Sequence, residues 1–107
     1  MAFIMMIVNT ETISGKNLQT LAVVQGSVVW SKNIGRDFMA GMKTLVGGEI
    51  KSYTQMLNEA RNVALQRMVE NAEKLGADAI ICLRYSTSSI MQGAAEIMVF
   101  GTAVKYI

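Results

Sequence analysis

The fold is decided by the stretch from Ser52 to Gly76, SYTQMLNEARNVALQRMVENAEKLG, which has the clearest periodicity in the chain. Its apolar residues recur at three- and four-residue steps, which predicts an amphipathic helix. Ser52 and Gln55 match a capping box, and Gly76 is placed where a helix C-terminal cap belongs. We therefore predict a helix over residues 53–75, whose first turn can begin as early as Glu49.

The apolar face of this predicted helix is broader than one sheet can cover. On a helical wheel of about 100° per residue, the apolar positions span well over half of the circumference. They are Met56, Leu57, Ala60, Val63, Ala64, Leu65, Met68, Val69, Ala72 and Leu75. A helix on the surface of a monomer needs an apolar stripe of only roughly 100°. We therefore expect the helix to contact both its own sheet and a neighbouring subunit.

Strands are predicted on both sides of the helix from runs of β-branched and aromatic residues. The predicted strands are Phe3–Val8, Thr20–Ser31, Ala79–Ser86 and Ala94–Ile107, and a short helix is predicted over Ile34–Val46. Gly26 and Ser27 predict a bulge or a corner in the second strand. The last two strands are apolar on successive residues, so both of their faces need cover. The sequence therefore predicts an α+β fold with two layers, an antiparallel sheet packed on one long helix.

The composition excludes several classes of protein. The chain has 107 residues, no His, no Pro, one Cys, nine Met and a net charge of +2. This length fits a single domain over residues 1–107. Without His, neither a His-based catalytic relay nor an imidazole zinc site is available, and one Cys cannot close an internal disulfide. We expect a cytoplasmic protein.

Neither a nucleic acid nor a membrane is an expected partner. The ten basic residues are scattered from Lys16 to Lys105 and do not form a stripe. The longest apolar run, Ala2–Val8, is much shorter than the roughly 20 residues of a membrane-spanning helix. The expected partner is a second copy of the chain, because sheet and helix offer more apolar surface than one domain of this size buries.

Several separated motifs resemble one protein family. They are NIGRDFMAGMKTLVGGEIKSYTQML at Asn33–Leu57, the Ala60-Arg61 pair, GADAI at Gly76–Ile80 and GTAV at Gly101–Val104. Together they are similar to the YbjQ-like family, which is also named for a heavy-metal-binding domain. The resemblance implies a β-α-β-β subunit like that of dodecin, assembled as a homopentameric ring. It implies no catalytic residues, because the function of the family is not established.

With no His, the predicted donors for a metal ion are the carboxylates of Asp37 and Glu49, completed by other subunits. The alternative is that Asp37 is a favourable charge near a helix N-terminus and pairs with Arg36 or Arg61. A copper site built on the methionines is disfavoured, since Met at helical spacing usually fills a core. Cys82 lies in an apolar strand and is expected to be buried and inert.

The predicted ligand-binding residues are Arg36, Gly47, Gly48 and Arg61. The paired glycines precede the long helix and can expose backbone N–H groups to an anion, or they simply form a tight turn. Arg61 falls inside the apolar arc, so we expect it to be buried and to pair with Asp37 or Glu49 of the same or an adjacent subunit. We predict a non-enzymatic binding or scaffold protein. The alternative is an enzyme with an intersubunit site of carboxylates and arginines.

Overall fold

The computed structural model describes residues 5–31 and 49–107, with residues 49–53 described by backbone alone. The elements are β1 (Met6–Ile7), β2 (Leu18–Ser31), α1 (Glu49–Lys74), β3 (Ala79–Met91) and β4 (Ala94–Tyr106). The strands form one sheet in the order β1-β3-β4-β2, and α1 packs on β2 and β4. The predicted α+β class with a sheet and one long helix is confirmed. The short helix predicted over Ile34–Val46 lies outside the described residues.

The sheet is mixed, which corrects the prediction of a purely antiparallel sheet. The long strands β2, β4 and β3 pair antiparallel, but β1 pairs parallel to β3 through Met6 with Ala79 and Ile7 with Ile80. The chain leaves β1 at one edge and enters β2 at the opposite edge, so residues 8–17 form a crossover connection between two strands that run the same way. Of the strand predicted over Phe3–Val8, the structure shows Met6–Ile7, while residues 3 and 4 lie outside the described residues.

Different parts of the chain pack against the two faces of the sheet. On one face, Ile80, Val99 and Ala103 pack with α1 in the main core. On the opposite face, Ala79, Ile81 and Val104 form a second cluster, against which Val8, Ile13 and Leu18 pack from the crossover and the start of β2. The one long helix therefore covers the first face, and the crossover covers part of the second face.

The helix ends are set by backbone hydrogen bonds. At the C-terminus, Gly76 has φ of 74°, and its N–H donates to the Glu73 carbonyl at 2.9 Å while the Ala77 N–H donates to Ala72 at 3.1 Å. These two bonds are the Schellman cap predicted at Gly76. At the N-terminus the helix begins at Glu49, so Ser52 lies inside it and the predicted capping box does not mark its start.

Gly26 lies where the helix backbone approaches β2 most closely. The predicted bulge at Gly26 and Ser27 is wrong, since the pairing with β4 runs without interruption through Gly26 with Val99 and the irregularity in β2 lies between Thr20 and Ala22. A Cβ atom at Gly26 would collide with the carbonyl oxygen of Ala64 and the amide nitrogen of Met68. The glycine is therefore required by packing.

The last two strands form a hairpin that is longer than predicted. β3 continues to Met91, beyond the predicted end at Ser86, and its side chains are exposed from Arg84 onward. The turn contains Gly93 with φ of 81°, a conformation that favours glycine in a two-residue hairpin loop. The hydroxyl-bearing side chains after Ser86 are compatible with an exposed strand, although the predicted strand ended before them.

Candidate functional site

The structure describes one of the predicted site side chains. Arg36, Asp37, Gly47 and Gly48 lie outside the described residues. Glu49 is the first residue of α1, and its position is defined by backbone alone. Arg61 lies on the same helix, about 18 Å further along its axis at 1.5 Å per residue. The proposed pairing of Arg61 with Asp37 or Glu49 therefore stays a prediction.

Arg61 is exposed in the single chain, whereas the sequence predicted a buried guanidinium. Its Nη1 donates to the Asn58 side-chain oxygen at 3.2 Å. This contact is local and joins a cation to a neutral amide, so it does not neutralise the charge. The guanidinium is therefore presented to solvent and is available to an anionic group from outside the chain.

The reason for this exposure is the narrowness of the buried stripe on α1. The residues that are fully or nearly fully buried recur mainly at four-residue steps: Met56, Ala60, Ala64, Met68, Val69 and Ala72. Small alanines at these positions let the helix lie close to the sheet. Leu57 and Leu75 remain 36% and 47% exposed, so part of the broad apolar face is uncovered within the single chain.

Arg67 and Asn71 contact the outer strand of the sheet, which sequence reasoning missed. Arg67 Nη1 donates to the Ser27 carbonyl at 2.6 Å, and Asn71 Nδ2 donates to the Gln25 carbonyl at 2.8 Å. Alternate residues of a strand direct their carbonyls to the same edge, and β4 occupies the inner edge of β2. Both side chains therefore occupy acceptors on the outer edge. The signal in the sequence was two long polar side chains four residues apart beside an apolar stripe.

Asn71→Ala is expected to lower the free energy of unfolding by about 1 kcal/mol, the usual contribution of one hydrogen bond to a backbone carbonyl. Asn62→Ala is the matched control, because Asn62 is exposed on the same helix. Urea denaturation of both variants measures the difference. Equal stabilities would contradict the role assigned to the Asn71 amide.

Metal ligands are sparse in the described part of the chain. Within residues 5–31 and 49–107, no group of three His, Cys, Asp or Glu side chains is placed to hold a metal ion. Cys82 is half-buried and has φ of 57°, at the irregularity of β3 between Ile81 and Arg84. The predicted burial of its thiol is therefore incomplete.

An open groove of about 300 Å³ lies at the C-terminal end of the helix. Met5, Glu73, Ala77 and Asp78 line it. One oxygen of Asp78 already accepts a hydrogen bond from the Tyr106 N–H at 2.9 Å. The groove is separated from Arg61 by about 18 Å along the helix, so it is distinct from the predicted ligand site.

Large apolar side chains are exposed over much of the described surface. The most exposed are Val23 (74%), Ile107 (74%), Met91 (65%) and Ile90 (51%), followed by Met6, Tyr85, Val29, Leu75 and Leu57. Val23 lies on the sheet face opposite α1. It pairs with Thr102, which pairs in turn with Ile81 of the second cluster, and residues paired across neighbouring strands share a face. The exposed set therefore extends from that face to the tip of the β3–β4 hairpin.

These features define a two-layer α+β protein whose described core holds no buried charged or polar side chain. The sequence model of the YbjQ family, described as "Putative heavy-metal-binding", matches residues 5–107. The chain belongs to this family. A UPF0145 protein of Clostridium novyi is 60% identical over 103 residues, covering 96% of this chain and all of the relative. Another UPF0145 protein, from Thermotoga maritima, is 61% identical over 102 residues, covering 94% and 96% of the two chains.

A solved structure has the same fold. It is a protein of unknown function of the DUF74 family from Pediococcus pentosaceus, with a TM-score of 0.68 and 19% identity. The match covers 96% of this chain and 98% of that one. Among the described residues, no helix is both long and apolar enough to cross a membrane.

Proposed function

We propose that this protein is a homo-oligomeric binding module that holds a small anionic ligand at the boundaries between its copies. The observation that carries the proposal is the amount of exposed apolar surface on the single chain, led by Val23 at 74% and Met91 at 65%. A large amount of exposed apolar surface on a small domain indicates a partner that covers it. Closed symmetric assemblies of identical chains are the commonest way to cover it. The resemblance to the YbjQ-like family suggests a pentamer.

The ligand part of the proposal is supported by the exposed guanidinium of Arg61. Its described partner is the neutral side chain of Asn58, so its charge is free to bind a carboxylate or phosphate. We propose that Arg36 and the backbone of Gly47 and Gly48 complete the anion site. The carboxylates of Asp37 and Glu49 are proposed to orient the guanidinium groups of Arg36 and Arg61. If a metal ion is bound in place of an anion, these carboxylates are proposed to ligate it.

Native mass spectrometry of protein purified without chelators tests both parts. The expected spectrum has an assembly of about five 11.7 kDa chains with excess mass that is released when the protein is denatured in the same instrument. A single chain would contradict assembly, and an assembly without excess mass would contradict the binding part. Elemental analysis of the released mass distinguishes a metal ion from an organic anion.

Arg61→Ala is expected to weaken the assembly and to remove the bound mass, because the guanidinium is proposed to reach an anionic group across the boundary. Asn58→Ala is the matched control, since it removes the local acceptor of Arg61 and leaves the guanidinium in place. Native mass spectra over a dilution series compare the two variants. An Arg61→Ala assembly with unchanged dissociation and unchanged bound mass would contradict this role.

A further inference from the structure

Residues 5–13 cross the outer edge of β3 and are held there by backbone hydrogen bonds. The Val8 N–H donates to the Ile80 carbonyl at 2.9 Å, and the Leu83 N–H donates to the Val8 carbonyl at 3.1 Å. This segment contains β1 and the first part of the crossover, and it is called the strap below. The strap is therefore tied to the sheet through the start of a single strand.

Side-chain packing adds little to the hold on the strap. The structure describes every residue of the strap, and none of these side chains is fully buried. Four of its apolar side chains are half-buried: Met5, Ile7, Val8 and Ile13. Met6 is 49% exposed, and the bond from Arg84 Nη1 to the Asn9 carbonyl is also exposed. In contrast, Met68 and Val99 of the main core are completely buried. Segments with few buried apolar contacts open at a lower free energy than the core does.

Cys82 has a strained backbone where it bonds to the strap. Its φ of 57° lies in the left-handed region, which residues with side chains rarely adopt. Cys82 and Leu83 together oppose Gly101 at the irregularity between β3 and β4. Successive N–H groups of a regular strand point to opposite edges. Here both point to the strap, because the Cys82 N–H donates to the Thr10 carbonyl at 3.0 Å and the Leu83 N–H donates to Val8.

This strain favours separation of the strap from β3. A bulge in a strand takes one of two forms, with its first residue near the right-handed helical conformation or with a left-handed glycine there. The strap bonds hold Cys82 in the form that suits glycine. Once these bonds are broken, the Cys82 backbone is free to adopt the right-handed form and the strain is released.

A tight turn separates the strap from the rest of the sheet. Gly15 has φ of 75°, and the Lys16 N–H donates to the Ile13 carbonyl at 3.1 Å. Beyond this turn, the Asn17 carbonyl accepts a hydrogen bond from the Ile107 N–H at 2.9 Å. The chain is therefore fixed again at the start of β2, and the turn at Gly15 is the place for a hinge.

We propose that the strap opens as one unit about the turn at Gly15, and that the strained backbone of Cys82 sets how often it opens. Opening uncovers the second cluster of Ala79, Ile81 and Val104, against which the strap packs through Val8 and Ile13. α1 stays packed on β2 and β4 throughout, because the strap takes no part in that contact. The strap therefore controls access to one face of the sheet. Its opening takes place within one chain and is independent of the assembly proposed above.

Hydrogen exchange measured by NMR tests whether the strap opens as a unit. The amides of Val8, Cys82 and Leu83 bond between the strap and β3, whereas those of Val99 and Ala103 lie in the central strand β4. After correction for intrinsic exchange rates, the three strap amides are expected to share one opening equilibrium, larger by about tenfold or more than that of the β4 amides. Strap amides that open only together with β4, or that open with unrelated equilibria, would overturn the proposal.

Cys82→Gly tests the part assigned to the strained backbone. Glycine adopts a left-handed φ without strain, so the opening equilibrium read from the Val8 and Leu83 amides is expected to fall roughly fivefold. Cys82→Ser is the matched control, because it removes the thiol and keeps a side chain on the left-handed residue. It is expected to leave strap opening unchanged. Unchanged opening in Cys82→Gly, or an equal fall in both variants, would overturn the part of the strain. Native mass spectra of the same samples report the assembly separately, so a strap that fails to open is distinguished from copies that fail to associate.

Discussion

Gly26→Ala is expected to destabilise the protein by about 3 kcal/mol or more, the upper part of the range for overpacking a core. The added methyl group would meet two atoms of the helix backbone, the Ala64 carbonyl oxygen and the Met68 amide nitrogen. Backbone atoms cannot rotate away as side chains do, so the whole helix must move off β2. This movement would also open the contacts that Arg67 and Asn71 make with the outer edge of that strand.

The experiment compares Gly26→Ala with two other substitutions by urea and thermal denaturation. Gln25→Ala is the neutral control, because the Gln25 side chain is exposed. The hydrogen bond from Asn71 goes to the backbone carbonyl of Gln25, which this substitution leaves in place. Gly101→Ala is the graded control, since a Cβ there would lie 2.7 Å from the Ile80 Cγ2 atom and 2.9 Å from the Ile81 carbonyl. We expect the stabilities to fall in the order Gln25→Ala, Gly101→Ala, Gly26→Ala. A Gly26→Ala protein as stable as Gln25→Ala would contradict the close approach of helix and strand.

The long elements could be predicted from the sequence because their signals are local. Periodicity identified the helix, and Gly76 marked its end, where both cap bonds are present. The pairing of strands could not be predicted in the same way, because parallel pairing of β1 with β3 depends on residues about 70 positions apart. The role of Gly26 was also hidden, since a glycine required for close packing and a glycine at a bulge are identical in a single sequence.

The candidate site was less predictable than the fold. The helical wheel placed Arg61 inside an apolar arc, but it gave every apolar position equal weight. In the structure the buried stripe follows the alanines at four-residue steps, and Arg61 lies outside it. A wheel cannot identify the part of a broad apolar face that contacts the sheet, because that choice depends on how closely two backbones approach. The small residues Ala60 and Ala64 carried that information.

Met68→Ala is expected to cost about 2–5 kcal/mol, the usual range for truncating a large buried side chain to alanine. Met68 is completely buried and lies in the main core with Val24, Ile80 and Val99. Its neighbours come from both the helix and the sheet, so the vacated volume cannot be filled by moving one side chain. The expected loss of stability combines two costs, the apolar contacts that the side chain no longer makes and the cavity that remains.

Leu57→Ala is the comparison for Met68→Ala, because Leu57 is a large apolar residue on the same helix but is 36% exposed in the single chain. If Leu57 is exposed in solution as well, Leu57→Ala is expected to lower the free energy of unfolding by well under half as much as Met68→Ala does. If the assembly covers Leu57, the destabilisation by Leu57→Ala is larger at protein concentrations where the copies associate and smaller on dilution. The Met68→Ala penalty arises within one chain and is expected to persist on dilution. A Met68→Ala penalty below about 1 kcal/mol would contradict the central position of this residue in the core.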